Sequence, residues 1–485
     1  MGVDVLARSA PVPPVLRTLF VASLLSMSVV GGPGAASAAT PGSEMWAKRF
    51  DGSGRDSRDP AMVVSPDGST VFVTGGSFGA SSGPHYGTVA YDTATGAKLW
   101  VKRYNGAGDY DRATAIEVSP DGSAVFVTGR SVGSREREPW NPDYATVAYA
   151  ASTGSQLWVS RYNGPANGSD SAGALGVSPN GSAVFVTGAS EGSTGSSDYA
   201  TVAYDAASGS QLWARRYDGS AKSLDSASAL GVSPDGSAVF VTGRSEGSVT
   251  EGDYATVAYE ASTGSQVWVK RYDGPADGFD GDDRATAVSL SPDGSAVFVT
   301  GRSLGSTGQV DFATLAYDAT SGSPLWVKRH TGSGTDPVLA PDLAVSPDGS
   351  AVFVTGTSAG STSRDFATIA YNASTGARLW AKRYDGPANL ADVATALGVS
   401  PDGSTVFVTG YSFRSTGRDY ATVAYDASAG DRLWAKRYDG PLEDAEDYDV
   451  PTALEVSPDG TSVFVTGSSQ GLTSRAYATV AYNAA

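Results

Sequence analysis

A single unit occurs eight times along this chain, and no other feature limits its fold as strongly. The tetrad Ser-Pro-Asp/Asn-Gly begins at Ser65, Ser119, Ser178, Ser233, Ser291, Ser346, Ser400 and Ser457, a mean period of 56 residues. Val-Phe-Val-Thr-Gly follows in every copy, ending at Gly75 in the first and Gly467 in the last. A Thr-Val-Ala-Tyr-like segment comes next, then Trp-x-x-Arg-aromatic, with tryptophans at 46, 100, 158, 213, 268, 326, 380 and 434. At about 150 residues per domain the 485 residues would make three domains; the repeat makes them one.

Each unit reads as four short strands. In the second unit these are residues 113–118, 124–128, 144–149 and 157–162, rich in β-branched and aromatic side chains. Glycines read largely as turn punctuation, and the second strand stops before the glycine of Val-Phe-Val-Thr-Gly. Both faces of the second and third strands are largely apolar, so each sheet needs cover on both sides. A ring of stacked sheets supplies it, which makes the expected fold all-β: an eight-bladed β-propeller with four antiparallel strands per blade. The first Trp segment (46–50) has no unit of its own, and the last unit lacks a fourth strand. The N-terminal strand is therefore expected to close the last blade. An open solenoid would leave edges that the sequence does not cap.

Residues 1–38 read as a signal peptide. Arg8 and Arg17 precede an apolar run at 19–30, and Ala36-Ser37-Ala38 gives a cleavage pattern. The run is shorter than the ~20 residues of a membrane span. Residues 39–485 are then one exported, secreted domain with no membrane span, expected to be a monomer. The absence of Cys removes disulfides, thiol nucleophiles and Cys-ligated metals. A formal charge of −17 argues against nucleic acid as a partner.

The copies differ from one another in one respect. The spacing from turn Ser to strand Gly is 10 in all eight units, and from third-strand Thr to the next Trp it is 12 wherever both exist. The other two connections vary, and both lie on the opposite face of the ring. Variable loops on one face of a rigid scaffold are where binding is expected. One insertion, Arg135-Glu136-Arg137-Glu138-Pro139-Trp140, offers Arg137 and Trp140 as ligand contacts, with Trp140 either stacking on a sugar or anchoring its own loop. Two acidic loops, around Asp280, Asp282 and Asp283 and around Asp447 and Asp449, are candidates for Ca²⁺, though neither has the spacing of a D-x-D-x-D-G loop. An Asp also precedes most inner strands, among them Asp111, Asp170, Asp225, Asp283, Asp392 and Asp449. These either ring the channel mouth and attract a cation or ligand, or hydrogen-bond nearby backbone. His85 and His330, the only histidines, stand in structural repeat positions, and no Ser/His/Asp arrangement sits near one loop.

The segment Ala90-Tyr-Asp92-Thr-Ala-Thr95-Gly96-Ala-Lys-Leu-Trp100 resembles the A-x-D-x-x-T-G-x-x-x-W docking motif of pyrroloquinoline-quinone dehydrogenases, which are eight-bladed propellers. The whole unit is similar to the repeat of bacterial secreted β-propellers, and its Ser-Pro-Asp-Gly…Val-Thr-Gly part to surface-layer and lactonase-like propellers. The resemblance implies the fold and places the motif between blades. It also implies a vicinal Cys pair against a quinone, and this chain has no Cys.

The reading that follows is an exported binding module for an extracellular small molecule, glycan or protein. The alternatives are a quinoprotein-like oxidoreductase or metal-assisted lyase or lactonase working from rim carboxylates, and a structural cell-envelope protein.

Overall fold

Eight sheets built on the repeat make up the chain. The computed structural model describes residues 40–485 except 52–57, 79–82, 107, 109, 134–140, 194, 221–222, 248–251, 276–282, 307–309, 332–338, 360–362, 416, 443–446 and 472–473; for 58, 59, 339–341 and 447 it describes backbone only. The expected signal peptide lies outside these residues.

Blade 2 shows the pattern: Arg112–Val118 innermost, then Ala124–Val132, Pro142–Ala150 and Gln156–Tyr162 at the rim, each antiparallel to the next. Blade 8 is closed as expected. Its outer strand is Glu44–Phe50, paired antiparallel with Arg475–Asn483, with Trp46 opposite Ala481 and Phe50 opposite Tyr477. Blade 7 carries one addition, a short fifth strand Asp447–Tyr448 parallel to Gly417–Asp426.

The middle strands run further than their sequence signature. Ala124–Val132 continues through Gly129, which is not a turn residue. The inner strand bulges between Ala113 and Ala115, and a Cβ on Gly129 would lie 2.0 Å from the carbonyl oxygen of Arg112. Gly188, Gly243, Gly301, Gly410 and Gly467 face the same collision at their own bulges. The repeated glycine is there for close approach of two backbones, the demand a side chain cannot meet.

The core is not one mass but eight clusters, each between two neighbouring blades. Every repeat tryptophan crosses such a junction. Trp100 Nε1–H donates to the Ala151 carbonyl of blade 2 (2.8 Å), and Trp46 of blade 8 to Thr93 of blade 1 (2.8 Å). The other six do the same, from Trp158 to Ala206 through Trp434 to Ala484. The indole lies under a glycine of the next blade: Gly96 has φ +65°, and a Cβ there would sit 2.7 Å from the Trp46 ring. Tyr hydroxyls of the third strands add a second link, as from Tyr86 to the Ala145 carbonyl (3.1 Å).

The junction made by the N-terminal strand keeps the tryptophan hydrogen bond and the glycine contact of the others, while the Tyr477 hydroxyl finds no partner there among the described residues. Trp46→Ala and Trp268→Ala are each expected to cost about 3–5 kcal/mol, equal within about 1 kcal/mol, in one cooperative denaturant transition. A much smaller loss for Trp46→Ala would show that the seam is already open.

Candidate functional site: the variable-loop face

The two faces of the ring use their polar residues differently. On the tight-turn face, each Ser-Pro-Asp-Gly closes on itself. Ser65 Oγ donates to Asp67 Oδ1 (2.5 Å), and the Thr70 N–H donates back to Ser65 Oγ (2.9 Å). The pattern recurs from Ser119 to Ser457, with Asn180 in place of Asp in blade 3. Hydrogen bonds from Ser65 and Ser69 hold Asp67 below the usual carboxylate range. Here polar groups are spent on the fold.

The opposite face carries a device that the sequence reading did not register. In blades 2 to 7 the Arg of Trp-x-x-Arg pairs with the Asp that opens the third strand: Arg161–Asp143 at 3.0 Å, Arg216–Asp198 at 2.7 Å, Arg271–Asp253 at 2.6 Å, Arg329–Asp311 at 2.9 Å, Arg383–Asp365 and Arg437–Asp419 at 2.8 Å. The same guanidinium bonds the Ser that follows Val-Phe-Val-Thr-Gly and, in places, a Tyr of the preceding blade, as Arg329 does to Tyr272 (2.7 Å). Each pair is separated by 18 residues, a constant visible in the sequence once the two motifs are compared.

Of the two readings of the recurrent inner-strand Asp, the structure shows backbone hydrogen bonding. One oxygen accepts the N–H of a loop glycine: Gly106 to Asp111 (2.6 Å), Gly164 to Asp170 (2.6 Å) and Gly219 to Asp225 (2.7 Å). Asp111, Asp170 and Asp225 are fully buried between blades and do not stand on the channel wall. Burial raises all three above the ordinary carboxylate range. Asp283 and Asp449, expected as metal ligands, occupy the same repeat position and accept from Gly274 and Gly440; their second oxygens accept from Leu304 (2.7 Å) and Gln470 (3.0 Å). Arg137, Trp140, Asp280, Asp282 and the Asp447 side chain lie outside the described residues.

Two features of this architecture do offer contact to a ligand. The channel on the ring axis holds a cavity of about 370 Å³, whose walls include Thr114, Glu117, Ser228, Asp342 and Glu455. Glu117 and Glu455 come from blades 2 and 8, at a repeat position that is Val63, Gly176, Gly231, Ser289, Ala344 or Gly398 elsewhere. On the rim of blades 7 and 8, the Arg418 guanidinium lies 4.8 Å from the ring centre of Tyr411, 5.1 Å from Phe413 and 4.8 Å from Tyr448, and Arg475 approaches Tyr448 at 5.9 Å. The fifth strand of blade 7 brings Tyr448 into this group and leaves it exposed.

Both histidines pack within their blades. His85 is buried with Nδ1 3.8 Å from Asp111. His330 packs on Phe312, and burial with the nearby Arg378 and Arg383 charges lowers its affinity for a proton.

Asp392 gives a test of how these carboxylates are held. Burial, together with the charges of Asp365 and Asp385, pushes it up to about 6. Since that lies above the unfolded value, the group opposes folding above about pH 6, and the opposition fades as pH falls toward the ordinary carboxylate range. In chelator-treated buffer, Asp392→Asn is expected to gain on the order of 2 kcal/mol over the parent at pH 8 and to lose that gain near pH 4, read by urea unfolding.

Over residues 85–345 and again over 311–479 the sequence matches the family described as outer membrane protein assembly factor BamB, and the chain belongs to that family. Among solved structures, quinohemoprotein alcohol dehydrogenase from Comamonas testosteroni is 14% identical with a TM-score of 0.52, covering 90% of this chain and 76% of its own. Sqt1 from Chaetomium thermophilum is 13% identical with a TM-score of 0.59, covering 91% of this chain and 98% of its own. The same protein bound to the N-terminus of ribosomal protein L10 aligns at 13% identity and a TM-score of 0.57, covering 90% and 98%. These likenesses show the fold. No curated protein matches the chain.

Proposed function

We propose that this member of the BamB family is an exported propeller that binds a glycan or a segment of another protein on its variable-loop face. One observation carries the reading: the length variation between repeats and the exposed Tyr–Arg cluster at Tyr448 fall on the same face, while the other face is committed to self-closing turns. Aromatic rings with an adjacent guanidinium suit both a sugar ring and a peptide, through stacking and charge-assisted hydrogen bonds. Export rests on the charged, apolar and Ala36-Ser37-Ala38 sequence of residues 1–38.

A quinone on the ring axis does not fit the residues present. No Cys exists to lie against its ring. Glu117, Asp342 and Glu455 line the channel, and like charges there would repel the carboxylates of pyrroloquinoline quinone. No catalytic step is derived from it.

The test is a glycan and peptide array probed with the purified chain. A ligand is expected whose affinity drops about tenfold or more with Tyr448→Ala, drops again with Trp140→Ala, and is unchanged by Lys98→Ala on the tight-turn face. Loss with Lys98→Ala, or indifference to both aromatic changes, would overturn the assignment of the face.

A further inference from the structure

Three carboxylates meet where blade 6 joins blade 7. Asp365 opens the third strand Arg364–Asn372 of blade 6, Asp385 follows its outer strand Arg378–Tyr384, and Asp392 opens the inner strand Asp392–Val399 of blade 7. One oxygen from each lies within 4.8 Å of the other two. Asp392 is fully buried; its Oδ2 accepts the Gly386 N–H (2.6 Å), and its Oδ1, like those of Asp170 and Asp225, has no hydrogen-bond partner among the described residues. A buried carboxylate oxygen left without a donor is costly unless something positive meets it.

One ion pair of the described residues reaches the group. Arg383 is held by Asp365 Oδ2 at 2.8 Å, and Ser363 donates to Asp365 Oδ1 (3.1 Å). From blade 7, Arg437 is engaged with Asp419. Among the ion pairs of the described residues, these three carboxylates thus meet one committed guanidinium.

The other repeats show what this position does when its charge is met. In blade 7 the corresponding Asp419 and Asp439 are bridged by Arg414, 2.8 Å from Asp419 and 2.5 Å from Asp439. The repeat position of Arg414 is Gly360 in blade 6, and residues 360–362 are Gly, Ser and Thr, with no basic side chain. In blade 2 the middle acid is replaced by Asn163, and in blade 5 by Thr331. Blades 3 and 4 keep the middle acid, as Asp218 and Asp273, with Gly192 and Gly247 at the position of Arg414. Blade 3 repeats the acidic set with Asp198, Asp218 and Asp225.

We propose that Asp365, Asp385 and Asp392 bind a divalent cation, Ca²⁺, which takes the place that the Arg414 guanidinium holds in blade 7 and ties blade 6 to blade 7. The hard, all-oxygen donor set with an exposed Asp385 suits Ca²⁺, which accepts irregular geometry and completes its shell with water, better than Mg²⁺, which demands a near-ideal octahedron. Three carboxylates without a dedicated loop place the affinity on the order of 10⁻⁴–10⁻³ M. The site lies at the rim between two blades, apart from the axial channel and from the Tyr448 cluster, so its failure would leave the binding reading standing.

Chelator-treated protein titrated with Tb³⁺ tests this, because Tyr384, adjacent to Asp385, can sensitise its luminescence. We expect a saturable signal that Ca²⁺ displaces and Na⁺ does not. Asp385→Asn, an exposed change that leaves the packing alone, is expected to weaken it about tenfold or more, as is Asp392→Asn. Asp439→Asn, next to Arg414, should leave it unchanged. Ca²⁺ should also raise the melting temperature of the parent and not of Asp385→Asn. No saturable signal, or the same signal and melting shift in the parent, Asp385→Asn and Asp392→Asn, overturns the proposal.

Discussion

The indole of Trp-x-x-Arg, donating across a blade junction to the next backbone and lying under its glycine, is the contact on which the rest depends. A single four-stranded sheet with two apolar faces has no stable place in water. Repeating one directional contact eight times gives each sheet a neighbour at a fixed angle, and the ring closes without an exposed edge in any blade interior. Hydrophobic burial then follows from geometry: each junction fills with the Phe, Tyr, Val and Ala of two blades. With no Cys in the chain, the N-terminal strand in blade 8 supplies the closure that a cross-link would otherwise give.

Much of this is legible in the sequence because repetition reveals which residues share an environment. The strand order, the eight blades and the borrowed N-terminal strand all follow from counting segments. What escaped the reading depends on three-dimensional neighbours. Gly129 looks like a turn residue until the bulge at Ala113–Ala115 brings a carbonyl to where its Cβ would be. Asp111 and its counterparts look like a ring of charge at the channel, yet each turns into a junction to meet a glycine N–H, because a buried amide must find an acceptor. The Arg161–Asp143 type of pair was hidden for the opposite reason: both members sit inside motifs already explained by packing, and only their constant 18-residue spacing marks them as partners.

The division between the faces has a physical basis. Loops that must present the same turn to the next blade are held at one length by the Ser–Asp hydrogen bonds and by glycine packed on the proline of the preceding unit, as Gly122 is on Pro66. Loops on the other face vary in length between repeats, and their sequences add Arg137, Trp140 and the fifth strand of blade 7. What they carry is local: among the described residues, the Tyr411–Phe413–Arg418–Tyr448 group has no counterpart in another blade.

All of these loops frame one funnel only if the ring is closed, and the closure rests on Glu44–Phe50. Backbone hydrogen exchange of that strand tests this most directly. The account predicts protection equal to that of an interior outer strand such as Lys98–Tyr104, lost only on global unfolding. Exchange of Glu44–Phe50 at the rate of a free segment, while Lys98–Tyr104 stays protected, would contradict it.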